Sequence, residues 1–351
     1  MIGVSLFSSA GIAETYLRDV GINIVVANEL IKERSELYQA CYPDAKMING
    51  NILDDNIFKS IVNNSPKKID FLIASPPCQG MSMAGKNRSV EQMRTDQRNY
   101  LVFKIIDFIK IKSPDYVLIE NVPAFLKITL PYNGMQLKVV EILEIIFGKN
   151  YNVKANVYDS SEYGVAQRRT RAIIKLYPKT EEWTEPKKSK LITVEEKIGH
   201  LPSIEAGQSS NVLWHFARKH SKNHIEWMKH TPTGKSAFEN VQNYPIKSNG
   251  EKIKSYMTTY RRIKWDEPAP TITMRNDAIS SQLNVHPGRY LENNLYSDAR
   301  VLTPLELMLL SSLPENWNIP KSTPELLVRK CIGECIPPLL IKKIVSQLNC
   351  L

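Results

Sequence analysis

Apolar and polar positions follow two different rhythms along this chain. Over roughly its first third, short apolar runs alternate with stretches of helical spacing. Residues 3–7 form an uncharged run, as a buried strand would, and the small-residue loop Ser8-Ser9-Ala10-Gly11 follows. Helical spacing predicts a helix over 12–20. A second apolar run at 24–27 ends at Asn28-Glu29, and a helix is predicted over 31–42, stopped by Pro43. Residues 71–74 read as a strand running into Ser75-Pro76-Pro77-Cys78. Residues 99–111 read as a helix, and 116–119 as a strand ending at Glu120-Asn121. This alternation argues for an α/β fold with a mostly parallel sheet and helices on both faces. Ligands of such sheets bind beyond the carboxyl ends of the strands. Gly11, Glu29, Cys78 and Glu120 all follow strand ends, so they are expected to converge on one crevice.

Past residue 177 the rhythm breaks. Pro178, Pro186, Pro202, Pro232, Pro245, Pro268 and Pro270 interrupt the chain, and long amphipathic stretches vanish. A smaller, loop-rich second domain is expected here. Helical spacing returns at 303–313 and again at 324–348. A length of 351 residues suits two domains. Apolar residues run the whole length, which excludes general disorder. No apolar run approaches the roughly 18 residues of a membrane span. The N-terminus is apolar, but no basic residue precedes Arg18 and Glu14 interrupts it, so it is not expected to be a secretory leader. Five cysteines without a CxxC pair argue against a disulfide framework and for a reduced, intracellular chain.

Charge adds a partner. The formal net charge is +10. Residues 206–264 hold eleven basic side chains against three acids, so most of that excess sits in one segment. Trp214, Phe216, Trp227, Tyr244, Tyr256 and Tyr260 are interleaved with them. Lysines and arginines beside phosphates bind by counterion release, while polar side chains read base edges. The segment is thus either a nucleic-acid surface or a solvated, lysine-rich face. Its four histidines lack cysteines and zinc spacing, so no metal is expected.

Three further segments carry candidate chemistry. Cys78 follows two prolines that fix the backbone, so its thiol is either a held nucleophile or an inert buried group. Glu120 is either an acid facing the crevice or a surface carboxylate. If 171–176 is a strand, Arg169 and Arg171 share one face and suit an anionic or carbonyl-rich ligand. The loop 7–11, with Glu29 about 20 residues on, suits an adenosine-containing cofactor.

Together, and in this order, these blocks resemble the cytosine-C5 DNA methyltransferases that use S-adenosylmethionine. Ser5-Leu6-Phe7-Ser8-Ser9-Ala10-Gly11 resembles the cofactor loop, Asn28-Glu29-Leu30 the ribose block and Pro77-Cys78-Gln79 the nucleophile motif. Asp96-Gln97-Arg98-Asn99-Tyr100-Leu101 resembles the block after the mobile catalytic loop, placed here at 80–98. Glu120-Asn121-Val122 resembles the second catalytic motif, and Gln167-Arg168-Arg169-Thr170-Arg171 the arginine motif. Pro268 to Thr273, Arg300 to Pro314 and Gly333-Glu334-Cys335-Ile336-Pro337-Pro338 resemble the later blocks. Four positions depart from the pattern: Ser9 stands for a glycine, Ile12 where another glycine often stands, Asn51 for an aspartate and Glu334 for an asparagine.

The resemblance implies a Rossmann-like catalytic domain at 1–180 with 325–351, and a target-recognition domain at 181–324 that contains the basic segment. It implies S-adenosylmethionine contacts from Phe7, Ala10, Gly11, Ile12, Glu29, Leu30, Asn51, Ile52, Pro77, Leu101 and Cys335. Cys78 is the implied nucleophile toward C6 of a flipped-out cytosine. Glu120 is implied at its N3 edge, with Arg169 and Arg171 holding its carbonyl oxygen. Gln79, Ser82, Arg261 and Arg262 are candidate DNA contacts, the arginines for a guanine. The implied setting is a monomer in the bacterial cytoplasm or nucleoid, with a possible companion restriction endonuclease. Two other readings compete: a transfer RNA cytosine-C5 methyltransferase and a non-catalytic DNA-binding relative. Glu120-Asn121-Val122 argues against the two-cysteine RNA branch, the lack of any cysteine between Cys78 and Cys331 against the RNA-acting relative that shares these motifs, and the retention of Cys78, Glu120 and Arg169 against the non-catalytic reading.

Overall fold

Buried β-branched runs build a seven-stranded sheet. β1 (Ile2–Leu6), β2 (Asn23–Glu29), β3 (Lys46–Asn49), β4 (Phe71–Ala74) and β5 (Tyr116–Asn121) pair in parallel, in the order β3-β2-β1-β4-β5. β4 and β5 are buried along their whole lengths, as expected of parallel strands covered on both sides. After the small hairpin β6 (Thr129–Tyr132) and β7 (Met135–Lys138), two longer strands complete the sheet. β9 (Thr170–Pro178) runs antiparallel to β5, and β8 (Tyr151–Asp159) lies outside it. The connecting helices are α1 (Lys32–Cys41), α2 (Asp55–Asn64), α3 (Leu101–Lys112) and α4 (Val139–Phe147). Val4, Leu6, Val26, Leu72, Ile105, Val117, Ile119 and Ile142 share one apolar core. Each such side chain contributes roughly 1.5–3 kcal/mol by leaving water. The result is the expected α/β, Rossmann-like sheet.

This computed structural model describes residues 1–77 and 100–348. The chain divides into two units, the first of Met1–Asp159, Thr170–Lys187 and Ile341–Leu351. The second takes Ser160–Arg169 and Lys188–Leu340. It is rich in loops and isolated bridges, as its prolines predict. Its helices include α5 (Val194–Ile198), α6 (Lys222–Lys229), α7 (Pro304–Leu310) and α8 (Glu325–Glu334). The helix α9 (Pro338–Val345) follows. α7 starts with a capping box in which Thr303 and Glu306 satisfy each other's backbone N–H groups. Trp227, Met228, Tyr260, Ile279, Val285 and Val301 form an apolar core of this unit. No helix among the described residues is long and apolar enough to cross a membrane.

One predicted element differs. The segment 12–20 is not a continuous helix but two short 3-10 turns, Ile12–Glu14 and Arg18–Val20. It lies between Gly11 and Gly21, both in the left-handed region, and so short a span gains little from α-helical nucleation.

Candidate active site

Parallel pairing places the carboxyl ends of β1 to β5 along one edge of the sheet. Residues 7–11 follow β1, Leu30 follows Glu29 at the end of β2, and Asn51-Ile52 follow β3. Ser75-Pro76-Pro77 follow β4, and Glu120-Asn121 close β5. The described members therefore all follow strand ends on one edge of the sheet. Cys78, Gln79, Ser82 and the loop expected at 80–98 lie outside the described residues.

The turn after β1 is tightly held. Phe7, Ser9 and Gly11 all have positive φ, at 59°, 48° and 73°. Only glycine adopts this region without steric cost. The backbone N–H of Ser8 donates to the Asn28 carbonyl at 3.0 Å. The Ser9 N–H donates to Oε2 of Glu29 at 2.9 Å, and the Ile31 N–H to Oε1 at 2.8 Å. Glu29 thus organises its own surroundings, yet each carboxylate oxygen keeps lone-pair capacity for a donor such as a ribose hydroxyl. Beside it, the Leu30 side chain is exposed and offers an apolar face. Asn51 Oδ1 accepts the Leu53 N–H at 3.0 Å, a task an aspartate would perform equally. Ala10, Ile12, Ile52 and Leu101 are buried, whereas Phe7 and Pro77 are half-buried. A carboxylate acceptor beside an apolar face fits a nucleoside cofactor.

Glu120 ends β5 with its carboxylate largely enclosed. The Arg171 Nε lies 2.9 Å from its Oε1. The antiparallel register, which sets Glu120 opposite Ile173, brings Arg171 of β9 to that carboxylate. The next residue, Asn121, donates from Nδ2 to the Pro76 carbonyl at 3.0 Å. It thereby anchors the backbone that leads into Cys78. The sequence signal for this role was a polar residue at the end of an otherwise apolar strand.

Arg169 corrects the expectation of a shared face. β9 begins at Thr170, so Arg169 precedes the strand. Its buried guanidinium donates from Nη1 to the Ile272 carbonyl at 2.7 Å. Nη2 donates to the carbonyls of Gly333 at 3.1 Å and Glu334 at 2.7 Å. Distant backbone carbonyls capture this side chain, and it clamps two segments of the second unit together. The contact uses the Glu334 backbone, so the exchange of asparagine for glutamate there leaves it intact. Cys335, half-buried, directs its Sγ to the Ile332 carbonyl at 3.2 Å.

In the basic segment the two adjacent arginines separate. Arg262 is 0% exposed and donates to the carbonyls of Met228, His286, Ser297 and Asp298. The expectation that it contacts a guanine is therefore corrected: its donors are spent on buried carbonyls. The Arg261 side chain keeps 29% exposure, with Nη2 donating to the Gly234 carbonyl at 2.8 Å. Between them and α6 the chain forms a short hairpin. Ile246 bridges Lys252, and the Ile253 N–H donates to the Pro245 carbonyl at 3.0 Å. Lys247, Lys252 and Lys254 are exposed around it. Val241, at 94% exposure, and Tyr256, at 75%, flank it. The same unit holds a buried ionic cluster in which Arg300 meets Asp298 and Glu306, both at 2.8 Å. Burial alone would raise the Glu306 carboxyl, but Arg300 and His286 bring it down to about 2. Burial, with help from Arg300, pushes the His286 imidazole down to about 3.

Comparisons with known proteins agree with this architecture. The family model for C-5 cytosine-specific DNA methylases matches residues 1–350. The Type II methyltransferase M1.HgaI of Avibacterium volantium is 57% identical over 349 residues, covering 99% of this chain and 98% of that protein. M1.HphI of Haemophilus parahaemolyticus is 27% identical over 348 residues, covering 98% and 85%. Among solved structures, the Entamoeba histolytica methyltransferase EhMeth superposes with a TM-score of 0.65 at 16% identity, covering 99% of this chain and 97% of that one. A mutant of Spodoptera frugiperda DNMT2 superposes at 0.61 with 17% identity, covering 98% and 99%. At such identities the structures speak for the fold alone. The fold is that of an S-adenosylmethionine-dependent methyltransferase. The chain belongs to the C-5 cytosine-specific DNA methylases.

Proposed function

We propose that this enzyme methylates C5 of a flipped-out cytosine within a short duplex DNA sequence, through a transient bond to Cys78. The observation that carries the reading is the Glu120–Arg171 pair beside Asn121, which holds the backbone entering Cys78. Phe7, Ala10, Gly11, Ile12, Glu29, Leu30, Asn51, Ile52, Pro77, Leu101 and Cys335 would hold S-adenosylmethionine. When bound, that cofactor supplies an electrophilic methyl group. Stacked bases hide C5 and C6, so the target cytosine must leave the helix.

The Cys78 thiolate then adds to C6, and the displaced electron pair moves toward C5 and N3. Arg171 holds Oε1 of Glu120 and so directs Oε2 to the N3 edge. C5 takes the methyl group, its proton leaves to a base, and the thiolate departs from C6 as the ring regains its double bond. Arg169 acts as a positioning residue through the carbonyls it clamps, and Arg171 is the arginine that meets the base.

Catalysis belongs to 1–180 with 325–351, and target reading to 181–324. Lys247, Lys252, Lys254, Tyr256 and Arg261 form the DNA-facing set there, joined by Gln79 of the nucleophile motif and Ser82 of the loop at 80–98. Charge complementarity supports this set. The chain acts as a monomer in the bacterial cytoplasm or nucleoid, beside an endonuclease of the same target sequence. The name of the Type II relative supports that setting.

Tritiated methyl transfer to mixed-sequence duplex DNA, with transfer RNA in parallel, tests the reaction. Label is expected in DNA as 5-methylcytosine within one short motif, and none with Cys78→Ala. Label confined to transfer RNA, or full activity of Cys78→Ala, would overturn the proposal.

A further inference from the structure

We infer that Glu14, Tyr38 and Tyr42 form a buried post that sets the cofactor loop, making cofactor affinity depend on the protonation of Glu14. The inference rests on residues 7–11 being that loop. Gly11 closes the turn, and its carbonyl accepts two hydrogen bonds. One comes from the Glu14 N–H at 3.0 Å, the other from the Tyr42 hydroxyl at 2.7 Å. Tyr42 lies just beyond α1, and its ring packs on Tyr38 with centroids 4.9 Å apart. The Tyr38 hydroxyl in turn donates to Oε2 of Glu14 at 2.5 Å. The circuit therefore runs from the loop to α1 and back. The two rings fill the space at Gly11 so fully that a Cβ there would lie 2.3 Å from Tyr42 and 2.9 Å from Tyr38.

Glu14 belongs to no catalytic block, yet its carboxyl is buried. Ser5 of β1 and Tyr38 of α1 are its hydrogen-bond partners. Tyr42 also faces it, with Cys41 beside Tyr42, and Arg18 is the nearby cation, paired at the surface with Asp44. Burial pushes the Glu14 carboxyl up to about 7, against the smaller downward pull of Ser5 and Tyr38. Near neutral pH the post therefore exchanges a neutral acid for a buried anion. A buried anion draws in water or shifts its donors. The tilted contact of the Tyr38 and Tyr42 rings transmits that shift to the Gly11 carbonyl. Below pH 7 the neutral acid holds the loop, and above it the loop loosens.

The probe is S-adenosylhomocysteine, titrated calorimetrically into the full-length enzyme from pH 6 to pH 8.5. The wild-type affinity relative to Glu14→Gln is expected to fall about tenfold per pH unit at most above pH 7. Taking this ratio cancels titration of the ligand itself. Tyr42→Phe removes one donor to Gly11 and is expected to weaken the ligand about three- to tenfold at every pH, with DNA affinity unchanged. Parallel pH profiles for wild type and Glu14→Gln, or unaltered ligand affinity in Tyr42→Phe, would overturn the inference. Full affinity in Glu29→Ala would instead remove the loop assignment on which it rests.

Discussion

Arg261 and Arg262 are neighbours of identical chemistry, and the structure gives them opposite environments. Replacing Arg262 by alanine removes the donors from four buried carbonyls, those of Met228, His286, Ser297 and Asp298. Each dry, unpaired carbonyl costs roughly 1–3 kcal/mol. The simple sum overshoots, because water enters the space left by the side chain. Removing one member of a buried ionic network costs about 3–5 kcal/mol, and this range is expected for Arg262→Ala. Burial pulls the guanidinium down to about 10, while Asp298 and Glu205 favour its charged form, so it is cationic at neutral pH. Arg261→Ala should change stability by less than about 1 kcal/mol, as exposed ion pairs do. It should instead weaken DNA binding and reduce the slope of log affinity against log salt by about 0.9. Urea unfolding followed by tryptophan emission reads the first effect, since Trp227 lies in this core and Trp265 donates to the Gly288 carbonyl. Gel-shift titration across a salt series reads the second. Wild-type stability in Arg262→Ala, or an unchanged salt slope in Arg261→Ala, would refute the division of labour.

Ser9→Gly should raise the melting temperature and retain cofactor binding. It relieves a positive φ of 48° and removes a buried hydroxyl with no partner among the described residues, worth about 1 kcal/mol net of glycine's entropy; a lower melting temperature would count against it. Gly333→Ala should destabilise by about 3 kcal/mol or more, because its Cβ would lie 2.4 Å from the Thr273 carbonyl oxygen and 2.6 Å from the Met274 nitrogen, both unyielding backbone; a urea midpoint equal to wild type would contradict this. Arg171→Ala should lower kcat about 10- to 100-fold with S-adenosylhomocysteine affinity unchanged, since it frees Glu120; an unaltered kcat would exclude the role. Acid should weaken the second unit. The His286 imidazole sits below its ordinary 6.5 and the Glu306 and Asp298 carboxyls below theirs, so the unfolded chain takes up protons first as pH falls. Stability is complete above pH 6.5, declines below it and falls further through pH 4.5 toward 2; equal urea midpoints at about pH 7 and about pH 4 would overturn this.

The sheet was legible because its information is local. An uncharged run such as Phe71 to Ala74 is a strand wherever it is placed, and β-α-β order forces parallel pairing. Parallel pairing then sends Gly11, Glu29 and Glu120 to one edge without any knowledge of side-chain contacts. The small turns at 12–20 are not legible in this way, because helical spacing there is real but the left-handed glycines that bound it leave too little length.

By itself, then, the sequence determined the fold class, the sheet edge on which the candidate residues gather and the order of the family's blocks. Only the tertiary structure decided which arginine is available. Arg169 and Arg262 are buried and spent on carbonyls far away in the chain, while Arg171 meets the Glu120 carboxylate and Arg261 keeps part of its side chain at the surface. It alone also buried Glu14 against Tyr38 and Tyr42. The physical reason is one of range. Strand and turn formation depend on neighbours within a few residues, whereas a long polar side chain takes the environment that the folded chain builds around its tip, and that environment comes from residues with no sequence proximity to it.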